Sequence, residues 1–167
     1  PYFNEAPWRV EKSPVNLTRM RLYQQLFPLS HFVVVTRHPE AVAAATSKWV
    51  DMPPAAMMDH WLDAYDIVRR DIDYLHAVIT IRYENLVADP TATLARLAAF
   101  LDVNAVPAPS DILDGNQDYA GTTTLSPAQA ERASAWGYGA GLQVRPWAGL
   151  TRHPLRRIAE NVEAAAG

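Results

Sequence analysis

Two kinds of hydrophobic pattern alternate along this chain. Short unbroken β-branched runs at His31–Thr36 and Val78–Tyr83 predict strands buried on both faces. A weaker apolar–polar alternation over Trp8–Lys12 predicts a third, short strand, stopped by Ser13-Pro14. Between and after these runs, apolar residues recur every three or four positions. Leu17, Met20, Tyr23 and Phe27 predict a helix over Leu17–Phe27, capped by Asn16 and ended by Pro28. The strongest stripe is Met58, Trp61, Tyr65, Val68, Ile72 and Leu75, which reads as core packing along one helix face. An alanine-rich helix is expected over Glu40–Trp49, with Pro39 in its first turn. Another opens at Asp89-Pro90 and carries Leu94, Leu97 and Leu101 on one face. Helices from Ser126 or Pro127 to Trp136 and over Leu155–Ala166 complete the helical set. Residues 103–124, rich in Pro, Asp, Gly and Thr, read as an ordered loop, and Gly137–Gly149 is rich in glycine and aromatic residues.

Strand, helix, strand, helix, helix, strand, helix is the order of an α/β layer built on a parallel sheet with right-handed crossovers. A length of 167 residues and 49% hydrophobic content suit one packed domain. A net charge of −3 without a run of like charges argues against nucleic acid as partner. The longest apolar runs, Phe32–Val35 and Leu97–Leu101, are core-sized, so no membrane partner is expected. Cysteine is absent, which removes disulfides, thiolate metal sites and a cysteine nucleophile, and suits a cytoplasmic setting. A chain that opens at Pro1 with a strand by Trp8 reads as a piece of a longer protein.

Ligands of open parallel sheets bind beyond the carboxyl ends of the strands. The three ends expected here are Glu11-Lys12-Ser13-Pro14, Thr36-Arg37-His38-Pro39 and Arg82-Tyr83-Glu84-Asn85. A cation beside exposed helix N–H groups is a seat for phosphate or sulfate, so the chemistry suggested is anion handling. Plainer readings stand beside it. Lys12 also reads as a solvated strand end, Arg37 as a salt-bridge partner, and His38 as a structural residue. Tyr83 and Glu84 read as a pair that locks a following loop by hydrogen bonds. Trp136, Tyr138 and Trp147 suit either a ligand cover or aromatic packing at a domain edge, and Asp118-Tyr119 lies in a loop within reach of the cleft.

The ordered series of these segments resembles the sulfotransferase family. Glu11-Lys12-Ser13-Pro14, a helix ending Leu26-Phe27-Pro28, and Phe32–Pro39 are similar to the family's central block. Arg82–Pro90, followed by Leu94, Leu97 and Phe100-Leu101, is similar to its Arg-Tyr-Glu-Asp-Leu…Asp-Pro segment. The match runs over roughly residues 8–102 and is closest to bacterial members and to the tyrosyl-protein and glycosaminoglycan branches.

The resemblance implies a P-loop NTPase-like parallel sheet flanked by helices, incomplete on its N-terminal side. It also implies transfer of a sulfuryl group from 3′-phosphoadenosine 5′-phosphosulfate (PAPS) to a hydroxyl or amine, without a metal. Arg37 matches the arginine on the cofactor's 3′-phosphate, and the family's serine eight positions later is replaced by Ala45, with Thr46 and Ser47 next as substitutes. Lys12 matches a lysine near the transferring group, where it would stabilise the bridging oxygen of the leaving 3′,5′-adenosine diphosphate (PAP) in a loose, in-line transition state. The family's 5′-phosphosulfate loop and general base lie upstream of the Glu-Lys-Ser-Pro segment, and no glycine precedes Gly115, so this chain alone is expected to be a poor catalyst. Two rivals remain: a P-loop kinase, which needs a magnesium-binding Asp at a strand end, and a non-catalytic interaction module. The acceptor and the oligomeric state are not legible in these residues.

Overall fold

The computed structural model describes residues 9–105 and 107–166. Its centre is a three-stranded sheet of order β1-β2-β5, comprising β1 (Phe32–Thr36), β2 (Val78–Arg82) and β5 (Thr151–Arg152). β1 and β2 run parallel in the register Phe32↔Val78 to Thr36↔Arg82. The crossover between them holds α2 (Pro39–Thr46) and α3 (Pro54–Ile72). β5 is antiparallel to β2, with Val78 opposite Arg152, so the sheet is mixed where the sequence predicted a parallel one. The Thr80 hydroxyl helps dock this third strand, accepting from Leu150 N at 2.6 Å, while Thr80 N donates to Leu150 O at 2.8 Å. Such pairing holds a two-residue strand that its own sequence does not announce.

β2 is central and buried along its whole length, as its apolar run predicts. One sheet face carries Val34 and Val78 into a core with Met58, Trp61, Leu62, Tyr65, Val68 and Ile72 of α3. The other face packs Ile79 and Ile81 against Phe100, Leu97 and Leu101 of α5 (Pro90–Leu101). β1 departs from the expectation of burial on both faces. Val33 and Val35 share the second face with Ile79 and Ile81 yet are 39% and 57% exposed, because α5 lies over β2 and leaves β1 uncovered.

The first expected strand is also corrected. Trp8 lies outside the described residues, and residues 9–12 carry no strand; Val10 is 91% exposed and has no ladder to join. A 3₁₀ turn (Pro14–Thr18) packs on α3 and is followed by α1 (Met20–Leu26), so the helix expected over Leu17–Phe27 is split at Arg19, whose φ is −125°. Tyr83 does not extend β2. It opens α4 (Tyr83–Ala88), and Asp89 then caps α5 by accepting from Ala92 N at 2.9 Å. The remaining elements are α6 (Pro127–Ser134), a small hairpin of β3 (Tyr138–Gly139) and β4 (Gln143–Val144), and α7 (Pro154–Ala166). Ser126 and Gln129 form a reciprocal capping box on α6, and the helix starts where the sequence placed it, at Ser126-Pro127. The expected loop of residues 103–124 is irregular apart from a short 3₁₀ turn at Gln117–Tyr119.

Candidate functional site

The carboxyl ends of β1 and β2 lie side by side, and the polar residues that follow them meet there. Arg37 leaves β1 with its guanidinium directed at the 103–124 loop. Its Nε donates to Asn116 Oδ1 at 2.7 Å and its Nη2 to Gly115 O at 2.8 Å. Its Cζ lies 4.7 Å from the Tyr83 ring centroid and 5.6 Å from that of Tyr119. Every recorded acceptor is neutral, and no carboxylate pairs with Arg37 among the described residues. The positive charge is thus held in one orientation by neutral groups, leaving its field available to an anion.

The loop that holds Arg37 is itself fastened by the residues after β2. The Tyr83 hydroxyl donates to Leu113 O and accepts from Gly115 N, both at 2.8 Å. Glu84 Oε1 accepts from Asn116 Nδ2 at 2.7 Å and from His38 N at 2.9 Å, while Oε2 accepts from the Tyr138 hydroxyl at 3.0 Å. The reading of Tyr83 and Glu84 as a loop lock agrees with this geometry. Asn116, buried at 7% exposure, passes the constraint on, since its amide nitrogen is fixed by Glu84 and its oxygen receives Arg37. Tyr138 donates to Glu84 and accepts from Thr36 Oγ1 at 3.1 Å. Burial, and then the Glu84 charge, push the Tyr138 hydroxyl far above its ordinary pKa, so it stays a proton donor.

His38 and Glu40 close the α2 end of the site. His38 is fully buried; its Nε2 donates to Gly139 O at 2.9 Å and its Nδ1 accepts from Glu40 N at 3.2 Å. Burial lowers its pKa despite the nearby Glu40, which fits a neutral ring with one donor and one acceptor nitrogen. The ring therefore caps α2. With Pro39 lacking an N–H and Val42 N bonded to His38 O, the α2 N-terminus is not the open anion seat that the sequence suggested. The Glu40 carboxylate, 1% exposed, accepts from Leu125 N at 2.7 Å, Gly141 N at 2.9 Å and Leu142 N at 2.7 Å. Arg82, 6% exposed, gives Nε and Nη2 to Asn85 Oδ1 at 3.0 and 2.7 Å and Nη1 to Arg145 O at 2.9 Å.

The other expected site residues are spread more widely. Lys12 is exposed in the irregular stretch before the first 3₁₀ turn, and no hydrogen bond or ion pair among the described residues ties it to Arg37. Thr46 Oγ1 donates to Val42 O at 2.8 Å and Ser47 Oγ to Ala44 O at 2.7 Å, so each would have to rotate to meet a phosphate. Trp136 and Tyr138 are core residues at 1% and 0% exposure. Gly115 and Asn116, which hold Arg37, were not singled out in the sequence; only the turn-forming run Asp114-Gly115-Asn116 marked that place. Among the described residues no group of three or more His, Cys, Asp or Glu side chains gathers as metal ligands, and no helix is long and apolar enough to cross a membrane.

Comparison with known proteins adds one finding. The sequence model of the sulfotransferase family matches residues 2–107, well over half of the chain. No curated protein and no solved structure matches it.

Proposed function

The chain belongs to the sulfotransferase family, and from that premise we propose that it takes PAPS as donor and carries the part of the site that grips the 3′-phosphate. Family membership makes it a transferase of sulfuryl groups in general; the donor, the residue roles and the P-loop-like details belong to this proposal. The observation that carries it is Arg37, held by Asn116 and Gly115 between two tyrosine rings with no carboxylate partner. In this reading residues 1–167 act as one domain in a cytoplasmic setting. Arg37 anchors the donor's 3′-phosphate, with Thr46 or Ser47 supplying a hydroxyl in place of the residue absent at Ala45. Lys12, exposed and without a partner among the described residues, stabilises the charge that grows on the bridging oxygen as PAP departs. The sulfuryl group passes in line to a hydroxyl or amine of the acceptor, which loses its proton to a base. No step needs a metal.

Calorimetric titration with PAP, beside 5′-AMP, tests the reading. PAP is expected to bind in preference to 5′-AMP, and Arg37→Ala to remove that preference. A folded chain that binds neither nucleotide, or an Arg37→Ala variant that binds PAP as before, would overturn it. A second reading, a non-catalytic interaction module, draws on the exposed apolar face of Val33 and Val35 and predicts no nucleotide preference at all. A kinase is disfavoured because the carboxylates beside the strand ends, Glu40 and Glu84, are both occupied by protein donors.

A further inference from the structure

Tyr119 faces two cations. Arg37 Cζ lies 5.6 Å from its ring centroid and Lys48 Nζ 4.8 Å, and the same ammonium donates to the Tyr119 hydroxyl at 3.3 Å. That long contact is the sole hydrogen bond recorded for Lys48 among the described residues, and no carboxylate lies within ion-pair reach of it. Behind the ring opens a recess of about 240 Å³, lined by Ser47, Lys48, Asp118, Tyr119, Thr122 and Thr123. That volume is below the usual range for a pocket holding a whole drug-sized ligand (about 300–1,000 Å³), but it admits a phosphate. Thr122 Oγ1 is committed to Tyr119 O at 2.7 Å, whereas the Thr123 hydroxyl has no partner among the described residues. Asp118 is the one opposing charge on the lining, and it stays out of contact with the lysine.

We infer that Lys48 is a second anion-binding group of the Arg37 site, and that the recess beside Tyr119 receives the phosphate of a nucleoside bisphosphate. This rests on the nucleotide-binding reading above and assigns within it a residue that Ala45, Thr46 and Ser47 do not account for. The electrostatics favour cooperation between the two cations. Both cations lie within 5.6 Å of the centre of one ring, so an anion seated in the recess beside Lys48 stays within about a Debye length (~8–10 Å at physiological salt) of Arg37 and feels both fields. The tyrosine spaces the two charges and offers a face on which each is favourable. The lysine's flexible stem lets its ammonium leave the ring for a ligand oxygen with little loss, since the tyrosine contact it gives up is weak.

The test is PAP titration of the chain at low and high salt, comparing wild type with Lys48→Ala, Lys48→Arg, Asp118→Asn and Arg37→Ala, each checked for folding by circular dichroism. Loss of Lys48 should weaken PAP binding about five- to tenfold, the order of one charge-assisted contact, and flatten the salt dependence. Lys48→Arg should restore most of the affinity, and Asp118→Asn should raise it. A Lys48→Ala variant with wild-type affinity and salt slope would overturn the inference while leaving an Arg37-dependent nucleotide site standing. If wild-type protein shows no Arg37-dependent PAP binding, the nucleotide reading falls, and this inference with it.

Discussion

Glu40 shows how much one side chain does here. Its carboxylate receives amide protons from Leu125 ahead of α6 and from Gly141 and Leu142 in the hairpin turn, joining two distant segments to the start of α2. Glu40→Gln would turn an amide NH₂ toward donors that need an acceptor. With buried donors unsatisfied, a loss of about 2–4 kcal/mol is expected, read as a lower urea midpoint. Tyr83 is a sharper probe of the site. Tyr83→Phe keeps the ring beside Arg37 but deletes the hydroxyl that holds Leu113 and Gly115, at a cost of about 1–3 kcal/mol. PAP affinity should fall in this variant although every group proposed to touch the ligand is intact, and unchanged affinity would show that the loop needs no such fastening.

Among elements, the hydrophobic pattern was most informative where it was longest. The α3 stripe, the helix after Asp89 and the two β-branched runs as strands were legible because long apolar patterns dominate local energetics, although only the β2 run is buried on both faces. The segment over residues 9–12 misled because alternation does not supply a pairing partner, and β5 was missed because two residues carry no period. At the site, Arg37 stood out as a cation at a strand end, whereas its holders on the 103–124 loop depended on a long-range fold-back. Element junctions carry two further predictions. Gly137, at φ +77°, turns the chain into β3, and a Cβ there would lie 2.6 Å from Arg82 Nη1 and 2.7 Å from Trp147 Cβ. Gly137→Ala should therefore cost at least about 1–3 kcal/mol in thermal or urea unfolding.

The second concerns pH. His153 Nδ1 accepts from Arg156 N at 3.2 Å at the start of α7, and its Nε2 lies 3.1 Å from His31 Nε2. Burial, then the charges of Arg156 and His31, lower the His153 pKa, and burial lowers that of His38. Below about pH 6.5 the unfolded chain takes up protons that these folded residues refuse, so stability falls as pH drops until the folded pKa values are passed. Urea midpoints measured from neutral to mildly acidic pH should show this decline. His153→Asn, which keeps an acceptor for Arg156 N, should make the decline shallower.

For the whole molecule, ligand and fold are coupled because Arg37 reaches across to a loop that Tyr83 and Glu84 also fasten. PAP at about a hundredfold excess over its Kd should add about 2.7 kcal/mol of stability and raise Tm, and this gain should vanish in Arg37→Ala. Limited proteolysis within residues 103–124 should slow in parallel, since cleavage there requires the loop to open.

The carboxylate of Glu40 also constrains the order in which the chain can fold as it is made. Its acceptor oxygens are in place early, but the amides they require belong to residues 85, 101 and 102 positions later. A nascent chain still lacking Leu142 holds a charge that the finished molecule buries and has nothing yet to bury it with. Native closure of this end of the sheet is therefore expected only once translation has carried the hairpin clear of the ribosome. A chain cut at residue 107, where the family match ends, would lack every one of these donors. It is expected to be an unclosed intermediate rather than a smaller working domain.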